Sequence, residues 1–482
     1  MSPPARRAPH PNGPPLAARP PTDRRIAIVG AGLSGRLVAL NLLRRAPAGC
    51  GARIRLIDRG EPGAMGPAYS IDSEALLLNV PAGIMGASSD DEDGFRRWAA
   101  ARRGGAGPGD FLPRWLYREY VFDLFDEAER DRTADLDFEE VRADVVDLEL
   151  SGARATLRLA DGRRTAADRV VLALGNFPPR HPPVRDRAVL GSERYVRNPW
   201  RPEVLDELAE RKSLLFVGTG QTMIDLVLGL ERRGHRGPMT AISRRGLLPM
   251  AHRDGESYPS FIAELEDPTS LRRLFGAVRE HVARAAADGI DPRAVIDALR
   301  PHTQELWSGL PEAEKRRFMR HVFRYWERIR SRIPPRCEAR LQPVLDSGRL
   351  RILAGRVRDV VDADDRIEVR YTPRRGSGEA VAAAELVVNC IGPEMDYGRV
   401  GDPLMRNLLR RGLVRPGPAR LGMDARPNGA VVGADGEASG VLFTVGSPMK
   451  GLLWEVLAVP EIRKQAESLA ALLLEGAESA RE

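Results

Sequence analysis

The stretch Ile26-Ala-Ile-Val-Gly30-Ala-Gly32-Leu-Ser34-Gly35 decides the fold. Ile26 to Val29 is a short apolar run of the kind that fills a parallel strand buried on both faces. Gly30 permits a tight turn, Gly32 lets a pyrophosphate approach the backbone, and Gly35 lets the following helix pack closely. The N-terminal amides and dipole of that helix favour the anion. Ser34, in the first turn of the helix, belongs with these cofactor-binding candidates. A second apolar run, Ile54-Arg-Leu-Ile57, ends in Asp58, 23 residues past Gly35. A carboxylate there accepts from ribose hydroxyls and repels a 2′-phosphate, which predicts the adenosine half of FAD or NAD rather than NADP.

The pattern recurs as Leu214-Leu-Phe-Val217-Gly218-Thr-Gly220-Gln221-Thr222-Met223-Ile-Asp225. Gly218, Gly220, Gln221 and Thr222 are the second set of cofactor-binding candidates. Met223 stands where the third glycine would be, so helix and strand are expected to pack slightly farther apart. The next strand, Met239-Thr-Ala-Ile242, ends not in an acid but in Ser243-Arg244-Arg245. Arginine suits bidentate phosphate recognition, so Arg244 and Arg245 predict the 2′-phosphate of NADPH, with NADH as the alternative donor. Each fingerprint also has a downstream echo. Short strands and Asp-Gly turns lead to Arg169-Val-Val-Leu-Ala-Leu-Gly175 in the first half and to Leu386-Val-Val-Asn-Cys-Ile-Gly392 in the second. Both read as β-meanders returning to an apolar strand that ends in a close-approach glycine.

These readings predict an α/β chain with two dinucleotide-binding, Rossmann-like domains of the two-site flavoprotein type, carrying β-meanders and a helical insertion. The expected organisation is a disordered leader over 1–23, a first FAD-binding part over 24–205 and an NAD(P)H-binding domain over 206–349. A helical insertion at about 259–335 interrupts the latter. Residues 350–470 are expected to form the meander and the return to the FAD domain, and 471–482 a tail. Phe318, His321, Val322, Tyr325, Trp326 and Ile329 recur at helical spacing and predict one continuous amphipathic helix in the insertion. Its apolar face is read as core, with His321 or a neighbouring arginine as the alternative contact to an anionic substrate. The acidic run Ser88 to Asp93 is expected to cap the helix carrying Phe95 and Trp98.

Composition narrows the class. The chain has 482 residues, enough for about three domains. No apolar run approaches the roughly 18 residues that span a bilayer. Cys50, Cys337 and Cys390 are far apart and odd in number, which argues against a disulfide framework and against a CxxC redox pair. The seven histidines lack metal-ligand spacing. The net charge is +7, but arginines are dispersed and balanced by 67 acids, so no nucleic-acid partner is expected. The positive surface favours anionic cofactors and substrates. A cytoplasmic enzyme with no membrane partner is the expectation.

The chain resembles bacterial FAD/NAD(P)-binding proteins that share a domain with FAD-dependent urate hydroxylases and flavin-dependent aspartate N-monooxygenases. The stretches that carry the resemblance are Gly66-Pro-Ala-Tyr69, Leu76-Leu-Leu-Asn79-Val-Pro81-Ala-Gly83, Phe111-Leu-Pro-Arg114-Trp-Leu-Tyr117, Tyr195-Val-Arg-Asn-Pro-Trp200, and Phe443-Thr-Val-Gly446-Ser-Pro with Gly451-Leu-Leu-Trp454-Glu455. The resemblance implies that Gly30, Gly32, Gly35 and Asp58 hold the FAD adenosine and pyrophosphate. It places Asn79 and Pro81 on the loop facing the isoalloxazine, and it brings the Gly446 backbone toward the flavin pyrimidine edge. Trp454 is read as core. The activity implied is an FAD-dependent, NAD(P)H-using monooxygenase that takes molecular oxygen and hydroxylates a small, nitrogen-containing, anionic substrate. Urate is the first expectation, amino-acid N-hydroxylation the second, and a non-catalytic FAD-binding sensor the third. No catalytic residue is assigned.

Overall fold

A computed structural model of the chain describes residues 24–61, 64–201 and 203–475. The expected leader, 1–23, and residues 476–482 of the expected tail lie outside the described residues. The apolar run at Ile26 becomes β1 (Arg24–Val29), followed by β2 (Ala52–Asp58) and β3 (Asp137–Arg142). A small antiparallel sheet then forms from β4 (Val145–Ser151), β5 (Arg154–Leu159) and β6 (Arg164–Ala167), and the chain returns through β7 (Arg169–Leu172). After β8 (Tyr195–Val196) the second fingerprint opens with β9 (Leu214–Val217) and β10 (Met239–Ser243). The helical insertion precedes β11 (Leu350–Asp362), β12 (Ile367–Pro373), β13 (Ala380–Ala384) and β14 (Leu386–Asn389). The last strands are β15 (Ala430–Val432) and β16 (Ala438–Thr444).

Two larger sheets organise these strands, in the orders β15-β16-β7-β1-β2-β3 and β13-β12-β11-β10-β9-β14-β8. In the first, β1 runs parallel between β2 and β7. In the second, β9 runs parallel between β10 and β14. These are the mixed α/β sheets with parallel centres that the two fingerprints predict. The Ile26 and Ile28 side chains of β1 are buried with Leu37, Val38 and Leu40 of the helix Leu33–Arg45, and the final helix Val459–Leu474 packs on the same layer.

Three sequence expectations need correction. Residues 350–389 do not return to the first unit. The first part of β11, Leu350 to Ala354, lies parallel to β10, with Leu350 opposite Met239, and from Gly355 onward it pairs antiparallel with β12, with a bulge between Val357 and Asp359. One long strand thus serves both sheet and meander, so each meander closes its own module. The return to the first sheet is made by β15 and β16, and β8, read as part of the first unit, is an edge strand of the second.

The helix expected through Phe318 to Ile329 is broken. Helices Glu312–His321 and Phe323–Arg330 meet at Val322 (φ −103°, ψ −38°). Phe318 stays in the core, whereas Tyr325 is exposed and accepts a hydrogen bond from Arg245 Nη1 at 2.7 Å. His321 is also exposed. Finally, Asp93 occupies the N-cap position of the helix Gly94–Arg103 without a side-chain cap bond. Its carboxylate accepts from Arg96 Nε at 2.7 Å and Nη2 at 2.5 Å, a charge-assisted bidentate pair that outcompetes a neutral backbone amide.

Candidate functional site

The two glycine turns are built alike. Gly30 has φ +108° and Gly218 φ +122°, and a Cβ would lie 2.3 Å from the Ala173 carbonyl oxygen in the first and 2.2 Å from that of Cys390 in the second. Each blocking carbonyl belongs to the residue that follows the returning strand, β7 or β14. The second glycines differ from the first in the same way: nothing lies within 4 Å of a Cβ built on Gly32 or on Gly220. Both second glycines therefore present bare backbone, with open space in front, at the N-terminus of a helix, the geometry that admits a pyrophosphate. Gly35 is enforced, since a Cβ would meet the Gly30 carbonyl oxygen at 1.9 Å. Met223, in its place in the second turn, is fully buried in the core.

The echo extends further. Gly175 (φ +61°) and Gly392 (φ +88°) each follow their returning strand by three residues. Beyond them Phe177 and Glu394 pair in an isolated antiparallel bridge, which ties the two modules together at equivalent positions. The buried Tyr397 hydroxyl, from the second of these segments, donates to the Gly175 carbonyl at 2.7 Å.

Asp58 is fixed against the first turn. Its Oδ2 accepts from the Ala31 amide at 2.7 Å and its Oδ1 from the Gly60 amide at 2.6 Å, which leaves lone pairs on both oxygens for ribose hydroxyls. Gly446 (φ +76°) arrives from β16 and sits so close to the helix bearing Ser34 that a Cβ would lie 2.4 Å from Ser34 Oγ. The structure thus brings Gly30, Gly32, Ser34, Gly35, Asp58 and Gly446 together. Asn79 and Pro81 precede the short turn Ala82–Ile84. The Asn79 carbonyl accepts from His252 Nε2 at 3.0 Å, and the His252 ring lies 4.9 Å from that of Phe111. Burial pulls the His252 pKa down, so its neutral form is favoured. Sequence reading missed His252, because its partner lies 173 residues away and no spacing rule links them.

Around the second turn, Gln221 points its amide into the insertion, donating to the carbonyls of Ser331 at 3.2 Å and Arg332 at 3.0 Å. Thr222 is half-buried beside it at the start of the helix Gln221–Arg232. Arg244 and Arg245 follow β10 and are joined there by arginines that the sequence did not single out. Desolvation lowers the Arg244 pKa, reinforced by the charges of Arg180, Arg245 and Arg356. Desolvation and the charges of Arg244 and Arg180 lower that of Arg324, against Glu327. The Arg245 guanidinium lies 4.7 Å over the Tyr325 ring. Among the described residues none of these five guanidiniums is ion-paired to a carboxylate, although ion pairs are abundant elsewhere in the chain. Five guanidiniums gathered with no carboxylate ion-paired to them suit an anion. Past the break at Val322, Tyr325 accepts from Arg245 and Arg324 lies near Arg244 and Arg180.

All three cysteines are free and buried, and burial pushes the Cys337 thiol up to about 12. Trp454 is core, stacked on Trp307 at 4.4 Å and edge-on to Phe318 at 5.1 Å. No helix among the described residues is long and apolar enough to cross a membrane.

Comparison with known proteins agrees with this geometry. Residues 27–177 match the family model NAD_binding_9, described as FAD-NAD(P)-binding. No curated protein matches the chain in sequence. Among solved structures it is similar to an ornithine N-hydroxylase from Kutzneria sp. 744 described with reduced FAD, NADP+ and L-ornithine (TM-score 0.62, 14% identity, 95% of this chain and 100% of that one). It is also similar to the FAD-bound cadaverine monooxygenase of desferrioxamine biosynthesis from Erwinia amylovora (TM-score 0.62, 14% identity, 94% of each chain). A bacillithiol disulfide reductase from Staphylococcus aureus is similar as well (TM-score 0.55, 10% identity, 94% of this chain and 98% of that one). At such identities the likeness concerns the fold: an α/β flavoprotein fold with two dinucleotide-binding units, of which the first carries the FAD-NAD(P)-binding match.

Proposed function

We propose that the chain is an FAD-dependent monooxygenase that takes two electrons from NADPH and N-hydroxylates a small amine-bearing molecule. The carrying observation is the duplicated open turn, with an acid behind the first and an unpaired arginine cluster behind the second. Asp58 suits an adenosine ribose without a 2′-phosphate, and Arg244, Arg245, Arg180, Arg324 and Arg356 suit one that carries it. These chemistries support FAD on the first turn and NADPH on the second. Bound there, the flavin would accept hydride from NADPH and activate molecular oxygen. One oxygen atom goes to the amine and the other leaves as water. The chain's own residues bind, orient and exclude water. Gly32 and Gly220 admit the pyrophosphates, the Gly446 turn closes on Ser34, and His252 holds the loop of Asn79 and Pro81.

Two of the solved neighbours named above are described as acting on ornithine and cadaverine, so they support amine N-hydroxylation over the urate expectation. Thiol–disulfide chemistry, which the third neighbour's name denotes, is disfavoured because a buried thiol at a pKa of about 12 supplies almost no thiolate.

The test is anaerobic mixing of the FAD-loaded protein with NADPH and, separately, with NADH. Rapid bleaching with NADPH preferred is expected. A flavin bleached by neither would leave the sensor reading in its place. Arg244→Ala and Arg324→Ala should each raise the KM for NADPH roughly 10- to 100-fold, the range of one charge-assisted phosphate contact. The KM for NADH should stay unchanged. Equal effects on both donors would remove the 2′-phosphate from this cluster.

A further inference from the structure

The first sheet carries a second concentration of arginine, at the end of its strands away from the glycine turn. Arg25 lies five residues before Gly30, about 16 Å along an extended chain. Side chains alternate across a strand, so the register of β1 and β2 puts Arg25, Ala27 and Val29 on one face with Arg53, Arg55 and Ile57. Ala27, Val29 and Ile57 are buried in one core with Leu148, Leu157 and Ala167 of the small sheet β4–β6. The arginine end of that face is left open. Arg25, Arg53 and Arg55 line a cleft of about 170 Å³ whose far wall holds Arg164 and Thr165 of β6. Ala27, Ala166 and Ala167 also border it, and their methyl groups leave the space that longer side chains would fill.

The charges around the cleft do not balance. On β3, Asp137 stands 3.3 Å from Arg53 Nε and Glu139 3.1 Å from Arg55 Nε. Arg55 Nη1 donates to Thr165 Oγ1 at 2.8 Å, which ties β2 to β6 and leaves the threonine's own proton for another acceptor. Arg25 and Arg164 are exposed, and among the described residues neither guanidinium has a carboxylate in ion-pair reach. Asp168, just past β6, is already engaged by the Arg25 amide at 2.9 Å and by Arg154 Nε at 3.4 Å. Four arginines against Asp137 and Glu139 leave two surplus positive charges. They surround a space that holds several waters, each needing about 10–15 Å³. Like charges converging on one cleft repel one another until an anion enters between them.

We infer that Arg25, Arg53, Arg55, Arg164 and Thr165 form a site for a divalent oxyanion of the phosphate type, separate from the nucleotide turns. Guanidinium forks match phosphate oxygens, and two negative charges cancel the surplus. Among the described residues no aromatic side chain lines the cleft, so it offers a nucleobase no stacking platform. The ligand is therefore orthophosphate or the phosphate monoester of a small, non-aromatic molecule. The site stands whether or not NADPH is the electron donor.

Calorimetric titration of the FAD-loaded full chain tests it, with NADP+ saturating, at low ionic strength in a chloride buffer. The probes are orthophosphate, glycerol 3-phosphate and AMP. Orthophosphate or glycerol 3-phosphate should bind at one site. Tighter binding of the first marks the free ion as the ligand, and tighter binding of the second a phosphorylated small molecule; each supports the site. Arg25→Ala and Arg164→Ala should each weaken that binding at least about 10-fold, the size of one charge-assisted contact. Both side chains are exposed, so flavin content and circular dichroism should match the wild type. Binding of neither anion, or unchanged affinity in either variant, would overturn the assignment. So would a loss of phosphate binding in Arg244→Ala, which would place the anion in the other arginine cluster. AMP binding more tightly than both other probes would overturn the ligand class.

Discussion

Gly220→Val is expected to yield a folded, FAD-loaded protein that NADPH no longer bleaches. Gly220 has an ordinary extended backbone (φ −86°, ψ −167°), which a β-branched residue adopts without strain. No protein atom lies within 4 Å of the added Cβ, so the valine methyls enter only the space in front of the turn. That space is where a pyrophosphate must come if the second fingerprint is used. The expected loss of NADPH affinity is at least about 100-fold, or about 2.7 kcal/mol. Stopped-flow flavin reduction reads it, with circular dichroism and flavin absorbance as controls for folding. Gly218→Ala is the contrasting case: φ is +122° and the Cys390 carbonyl stands 2.2 Å away, so that change disturbs the protein itself. Unaltered bleaching in Gly220→Val would show that NADPH does not sit on this turn.

The two cases show why this part of the molecule was legible in the sequence. A glycine turn, its strand and its acid or arginine lie within a few dozen residues, and each is required by local geometry, so spacing alone predicts them. Gly175 and Gly392 were legible for the same reason, as ends of short apolar strands. The division of the second half was not. β11 changes partner in mid-strand between Ala354 and Gly355, and both parts read as ordinary strand. The break at Val322 was hidden because apolar periodicity runs straight through it, and the partner that Tyr325 meets beyond it, Arg245, is distant in sequence. Arg180, Arg324 and Arg356 carry no local signature in an arginine-rich chain; only the fold brings them to Arg244. His252 against Asn79, and Arg330 against Glu455, are likewise tertiary facts. The glycine turns are therefore local, while these contacts join distant segments.

The junction between the modules also rests on a contact that no pattern announces. Arg114, at the start of the helix Arg114–Asp131, reaches from the first module to Asp225 on the helix Gln221–Arg232 of the second. Its Nη2 meets Asp225 Oδ2 at 2.7 Å, its Nε donates to the Leu77 carbonyl at 2.9 Å, and its guanidinium lies 5.7 Å over the Trp200 ring. Both side chains are buried, and burial pushes the Asp225 carboxyl up while Arg114 draws it down. At 2.7 Å the ionised pair is the state consistent with this geometry. Asp225→Ala strands a buried guanidinium, so it should cost about 3–5 kcal/mol, read as a lower urea midpoint at unchanged m. Because Leu77 precedes Asn79 by only two residues, the loosened arginine should also weaken FAD retention. The double change Arg114→Met with Asp225→Leu removes both charges at similar volume and should recover most of the stability, since desolvation of the pair offsets most of its attraction. A loss below about 1 kcal/mol in Asp225→Ala, the range of an exposed pair, would mean that water reaches Arg114 and that the modules are not locked here. Recovery of stability in the double variant without recovery of FAD retention would assign the arginine a second task, holding the Leu77 carbonyl and with it the loop that faces the flavin.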